Sequence, residues 1–171
     1  KKKKIKIVNE FFNFKSSIKA KKIYGKADLI VTTNVFAHSN KLGDFINAAK
    51  NLIKKNGVFV IENHYLVDVI KHNQFDTFYH EHLRTYSLKS LIILMKKYDF
   101  HLVDAYTSKR YGGNIQAHFS LKKIKYNSRI LKILSNEKSN KLSSLKTYKN
   151  FFGKILNAEK KMEIFLTQNA N

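Results

Sequence analysis

Tyr79-His80-Glu81-His82 is the densest run of proton-handling side chains in the sequence. Two imidazoles, a carboxylate and a phenol supply acids and bases whose ordinary pKa values run from about 4 to 10. In an extended segment His80 and His82 share one side, and Tyr79 and Glu81 the other. Two chemistries fit that arrangement. A His-x-His pair can hold a metal with a third ligand such as His38 or His64 and support hydrolysis. Alternatively, one histidine acts as acid or base while Glu81 fixes its orientation and Tyr79 moves a proton or holds a hydroxyl. The competing reading is a solvated surface loop. Phe75, Phe78 and Tyr86 frame the run, and a site that must exclude water carries aromatics where a solvated loop rarely does.

Other segments carry chemistry at lower density. Asn34 to Asn40 (NVFAHSN) contains His38, which either caps a following helix or faces a site. His64, directly after VFVIE, is open to the same two readings, whereas His72, His101 and His118 read as structural or exposed. Tyr111-Gly112-Gly113-Asn114 reads first as a hairpin turn. The chain has no cysteine, which excludes a disulfide framework, a thiolate metal site and a cysteine nucleophile within these residues. Glycines at 25, 43, 57, 112, 113 and 153 form neither a Gly-x-Gly nucleotide cradle nor a P-loop.

These segments need a scaffold, and the hydrophobic pattern predicts one. Lys4 to Val8 alternates basic and β-branched residues as a short strand would. Asn13 to Tyr24 has helical spacing, with Phe14, Ile18 and Ile23 on one side and Gly25 as its stop. Ala27 to Thr33 (ADLIVTT) and Val58 to Glu62 (VFVIE) are apolar runs of the kind buried on both faces of a parallel sheet. Between them a helix is expected from Asp44 to about Lys55, with Gly57 just past its end. Tyr65 to His72 predicts a short helix, and Ser87 opens another to Tyr98. His101 to Tyr106 and Ile115 to Leu121 predict an antiparallel pair joined through Gly112-Gly113. From Ser128 onward the pattern is helical, with a polar hinge at Asn136 to Ser144. Alternation of strand and helix implies an open α/β sheet with right-handed crossovers. Such a sheet binds ligands beyond the carboxyl ends of its strands. That rule selects Thr32 to Asn40 and Asn63 to Tyr65, with Phe75 to Tyr86 able to fold over the same edge.

The 171 residues are 43% hydrophobic and 13% aromatic, enough for one globular core and against wholesale disorder. With 33 Lys+Arg against 12 Asp+Glu the net charge is +21. Such a balance raises a basic nucleic-acid or polyanion-binding domain as the alternative function. Base type and placement argue against it. Only Arg84, Arg110 and Arg129 are arginine, whereas bidentate phosphate or guanine recognition favours arginine. The lysines are dispersed, and the Lys, Asn and Ile excess reads as background composition. No apolar run reaches the roughly 18 to 20 residues of a membrane span, so a cytoplasmic protein without a membrane partner is expected.

The run from Gly25 to Asn114, with NVFAH, FDTFYHEH and GG in that order and spacing, closely resembles the S-adenosylmethionine-dependent C-methyltransferases of nucleotide-linked keto-deoxysugars. The resemblance extends over about Lys4 to Leu121. It implies a partial class I methyltransferase sheet (Rossmann-like, α/β) over residues 1–122, closed by an antiparallel strand pair, and a helical start of a second domain over 123–171. It also implies removal of a proton α to the sugar's ketone, giving an enolate that attacks the donor's methyl group. By that resemblance Tyr79, Glu81, His82 and His38 are catalytic. His82 or Tyr79 would be the base, and His38 and Glu81 would hold sugar hydroxyls or the keto oxygen. Asn34 would lie by the methionine part of S-adenosylmethionine and Phe12 by its adenine, with Thr33 also binding this cofactor. His80, Tyr111, Gly112, Gly113 and Asn114 would contact the nucleotide-sugar. Tyr111, Asn114 and Gln116 stand where the family often has His, Ser and Arg, and Asn63-His64 replaces a more usual acidic or apolar pair with Pro. The family's glycine-rich donor loop, its ribose-holding acid and its zinc-binding N-terminal module have no counterpart in these residues. An internal fragment with weak donor binding and little activity of its own is therefore expected, with no metal held by this segment.

Overall fold

The computed structural model describes residues 5–170. Four strands form one sheet: β1 (Ala27–Thr33), β2 (Ile53–His64), β3 (His101–Ser108) and β4 (Asn114–Ser120), in spatial order β1-β2-β4-β3. β1 and β2 run parallel, with Thr32 beside Ile61. β4 lies antiparallel between β2 and β3, with Ala117 beside both Ile61 and Ala105. The expected α/β class and the terminal antiparallel pair are present. The expected strand at Lys4 to Val8 is not: Lys4 lies outside the described residues, and residues 5–8 are irregular.

Registration sorts the side chains into two faces. Ile30, Phe59, Phe119 and Leu102 line up across one face, followed by Thr32, Ile61, Ala117 and Ala105. Against this face pack α2 (Leu42–Leu52), through Phe45 and Ile46, and α4 (Leu88–Lys96), through Leu88, Leu91 and Met95. Burying each such side chain contributes about 1.5–3 kcal/mol. The other face carries Val31, Val60 and His118, then Thr33, Glu62 and Gln116. β1 is therefore not buried on both faces as its composition predicts: Leu29 is 57% and Val31 55% exposed. Among the described residues nothing pairs with its outer edge.

Local chemistry sets most boundaries. Asn13 and Ser16 form a reciprocal capping box at α1 (Phe14–Tyr24), and Gly25, at φ +75°, ends it. Phe14, Ile18 and Ile23 face outward, because α1 packs on α2 through its small polar side, with Ser17 accepting from Asn51 Nδ2 at 3.0 Å. α2 starts at Leu42 rather than Asp44 and stops at Leu52, since Ile53 to Gly57 join β2. A Cβ on Gly57 would sit 3.0 Å from Ala27 O, so only glycine admits the close approach of β1 there. α3 (Leu66–Lys71) and α4 follow their predicted positions. α5 (Ser128–Ser139) sends Ile130 and Ile133 into the same core. Its buried Glu137 accepts from the backbone N–H groups of Leu88 at 2.5 Å and Lys89 at 3.1 Å, at the start of α4. α6 (Leu145–Asn169) is largely exposed. Among the described residues no helix is long and apolar enough to cross a membrane.

Candidate active site

The carboxyl ends of β1 and β2 deliver two histidines to one edge of the sheet. After Thr33, which is exposed, Asn34 turns the chain with φ +53° and donates its N–H to Glu62 O at 2.9 Å. A short 3-10 turn over Phe36–His38 follows. Phe36 is fully buried against the rings of Phe45, Phe59 and Tyr86, and this anchor fixes where His38 emerges. His64 is the last residue of β2, and the next residue, Tyr65, is buried and donates its N–H to Gly113 O at 3.0 Å.

The segment from Phe75 to Tyr86 closes over this edge and is tied down at three points. Gln74 Nε2 donates to Gly112 O at 2.9 Å, Arg84 Nη1 donates to Ser39 O at 2.7 Å, and Leu66 N donates to Tyr86 O at 3.0 Å. The glycine pair makes the first tie possible. Gly112 and Gly113 have φ of +79° and +131°, and a Cβ on either would lie within 2.4 Å of Gln74 or Asp68. Beyond joining strands, this turn braces the start of the loop.

Within the loop, Tyr79 to His82 is a turn, with His82 N donating to Tyr79 O at 2.9 Å, and not the extended segment expected. The turn brings residues three apart together, so Tyr79 meets His82 while His80 points away into solvent. His82 Nδ1 lies 2.8 Å from Thr77 O. A carbonyl only accepts, so Nδ1 carries the proton, and in the neutral ring Nε2 is the free acceptor. Tyr79 Oη sits 3.1 Å from that Nε2 and donates to it. The result is a phenol–imidazole–carbonyl relay whose direction is set by the backbone. His38 packs edge-on against His82 with ring centroids 4.7 Å apart, and His64 approaches from the other strand at 5.3 Å. Burial holds His64 below the usual imidazole range, with His82 and His38 adding to the effect and Asp76 opposing it.

A cleft of about 840 Å³ opens beside this cluster, walled by Phe12, Val35, Phe45, His38, His80 and Glu81. Phe12 is held edge-on to Phe45 at 4.8 Å. His80 and Glu81 sit at the mouth, exposed, with 3.8 Å between imidazole and carboxylate. The structure thus gathers Tyr79, His82 and His38, with Phe12, His80 and Glu81 around the adjoining cleft. Tyr111 is exposed in the turn before β4. Asn114 is buried in β4, donating to Glu62 Oε1 at 3.1 Å. Among the described residues, no three His, Asp or Glu side chains are arranged to hold a metal ion.

Two residues outside the catalytic and binding set that the family resemblance implies stand out. Asn63 is 2% exposed with both side-chain polar atoms unpartnered, and His64 Nδ1 is also buried and unpartnered. Asn34 Oδ1 and Asn114 Oδ1 share that condition, so unmet polar atoms concentrate at this sheet edge, where each marks an interaction the folded chain does not complete. The only signal in the sequence is position: both follow VFVIE at a strand's carboxyl end.

A family model described as a methyltransferase domain matches residues 3–105, the segment that holds β1, β2 and the histidine cluster. The chain belongs to the methyltransferase-domain family. This methyltransferase domain is 32% identical over 130 residues to the C-methyltransferase NovU of Streptomyces niveus, a match covering 75% of the chain and 31% of NovU. It therefore spans about a third of that curated relative's length. A SAM-dependent methyltransferase from Anabaena variabilis superposes with a TM-score of 0.50 at 11% identity, covering 66% of this chain and 56% of that one. That likeness is one of fold: the four-strand sheet of this methyltransferase domain is part of the class I, Rossmann-like architecture.

Proposed function

We propose that this methyltransferase domain is the substrate-facing part of an S-adenosylmethionine-dependent C-methyltransferase acting on a nucleotide-linked keto-deoxysugar, through an enolate. The observation that carries the reading is the Tyr79–His82–Thr77 relay, whose His82 ring packs on His38 of the cleft wall. Carbon methylation needs a base for a C–H bond, and His82 Nε2 is an unprotonated acceptor held in register by its other nitrogen. A proton taken from the carbon next to the ketone at Tyr79 Oη moves the phenol's own proton to His82 Nε2. The electron pair shifts into the C–O unit, and His38 and Glu81 hold the sugar's oxygens. The likeness to NovU supports carbon as the acceptor, and the YHEH and NVFAH motifs support the sugar class. A cytoplasmic setting belongs to the same reading.

The donor fits the residues at the end of β1. Asn34 Oδ1 is buried without a partner beside exposed Thr33, and Phe12 offers an aromatic wall in the cleft. Those groups suit the polar methionine end and the flat adenine of S-adenosylmethionine. When bound, the donor supplies an electrophilic methyl group to the carbon nucleophile. None of the six glycines forms a Gly-x-Gly cradle, so this chain alone holds the donor weakly. Calorimetry tests that point: no saturation below the millimolar range is expected, and micromolar affinity would contradict it. The reaction itself is tested by incubating the complete protein, S-adenosylmethionine and a nucleotide-linked keto-deoxysugar in D2O. Deuterium entering next to the ketone supports the enolate route; methyl transfer without exchange or base dependence argues against it.

A further inference from the structure

We infer that His64 is a catalytic residue, a neutral imidazole whose Nε2–H receives the enolate oxygen. This assignment rests on the proposed enolate chemistry and adds to His38 and Glu81 a further hydrogen-bond donor for the oxygen where negative charge develops.

The assignment starts from the ring's own hydrogen bonding. His64 Nδ1 is buried and has no partner. An unmet lone pair is tolerated inside a protein more readily than an unmet N–H, so the neutral ring carries its proton on Nε2. No hydrogen bond within the described residues consumes that proton, and Nε2 is not among the sealed polar atoms. His64 therefore presents an unused donor.

The charge state follows from the neighbours. His82, from the loop, lies 5.3 Å away ring to ring, and His38, from the turn after β1, packs on His82 at 4.7 Å. Tyr79 completes the group against His82 at 4.2 Å, and among the described residues Asp76 is the carboxylate acting on His64. Burial, with the imidazoles of His82 and His38 adding to it, favours the neutral form of His64. The two central histidines are thereby given opposite tasks. His82, with Nδ1–H spent on Thr77 O, offers a lone pair; His64, with Nδ1 sealed, offers a proton. Environments that separate two like groups in this way are how a site divides base from electrophile. In the reaction, the C–H pair becomes the C=C bond as the carbonyl π pair moves to oxygen, where His64 Nε2–H hydrogen-bonds it. The pair returns when the carbon bonds the methyl group, and the S–C pair stays on sulfur.

The test compares His64→Leu, which removes the donor, with His64→Gln, whose amide nitrogen can stand near the position of Nε2. In the complete protein His64→Leu should lower kcat by about 100- to 1,000-fold, the usual loss for one oxyanion donor, with KM little changed. His64→Gln should recover all but about tenfold of that loss, and both should keep the wild-type acid limb of the pH profile, which belongs to the base. ¹⁵N NMR of His64 in the chain itself should show a neutral ring protonated at Nε2 at pH 7, and this reading stands even for a variant that folds poorly. A His64→Leu enzyme of wild-type kcat, equal losses in both variants, or a ring protonated on Nδ1 would each overturn the assignment. Absence of wild-type transfer to any keto-sugar would instead sink the proposed function, with the NMR result still deciding the state of His64.

Discussion

Replacing Tyr79 by Phe deletes one oxygen from the relay, and the structure separates its two consequences. Among the described residues, the only polar contact of that hydroxyl is the 3.1 Å bond to His82 Nε2, and the residue is 43% exposed. A neutral hydrogen bond so placed contributes about 0.5–1.5 kcal/mol net, so folding should lose about 1 kcal/mol or less. His82→Gln also gives up the Thr77 carbonyl, which adds a loss of similar size. Turnover depends on the pair differently. A positioned base accelerates proton removal about 100- to 10,000-fold, which corresponds to about 3–5.5 kcal/mol of barrier. Each variant of the complete protein should therefore lose far more in turnover than in stability. Because both residues serve one proton path, the double variant should be little worse than the poorer single one. Single-turnover transfer of a labelled methyl group and urea denaturation on the same preparations give both numbers. Turnover within threefold of wild type in both variants would refute the relay, as would activity losses that merely track the unfolded fraction.

Three further outcomes follow from the fold. Glu137→Ala strands two N–H groups at the start of α4 and should cost about 2–4 kcal/mol in urea denaturation, with Glu137→Gln costing less because one acceptor remains. His64 and His118 are both held below the ordinary imidazole value of 6.5. The unfolded chain therefore takes up protons that the folded one refuses, and their stabilising contribution is complete above about pH 6.5 and declines as pH falls below it. The wild-type minus His64→Gln difference in unfolding free energy, measured from pH 7.5 down to 5, isolates that residue's share and should shrink with acid. Gly113→Ala meets Asp68 at 2.4 Å with φ at +131° and should destabilise the turn that holds the 75–86 loop. Hydrogen exchange should then quicken at Tyr65 N, which donates to Gly113 O.

Much of this scaffold is legible in the sequence because local physics agrees with the global fold. Asn13 and Gly25 bracket α1, Ser87 opens α4, and the span of β1 follows ADLIVTT residue for residue. What escapes is information held by distant partners. The apolar composition of β1 predicts burial on both faces, yet Leu29 and Val31 are exposed, because exposure depends on what else packs there. The helical spacing of Phe14, Ile18 and Ile23 is real, but α1 buries its serines against α2 instead. In the site, the residue types of YHEH point to acid–base chemistry while their backbone conformation cannot be read from type. An extended run would pair His80 with His82, whereas the turn pairs Tyr79 with His82. His64 carries only a positional signal, and Glu137 none, since a buried carboxylate bridging two helices looks in sequence like any solvated glutamate.

The most direct test of the central claim is the site of methylation. The complete protein, given S-adenosylmethionine with a ¹³C methyl group and a nucleotide-linked keto-deoxysugar, should yield a product whose labelled methyl is bonded to the carbon next to the ketone in ¹³C NMR. A labelled methyl on oxygen, or no transfer to any keto-sugar under conditions where the donor is bound, would contradict it.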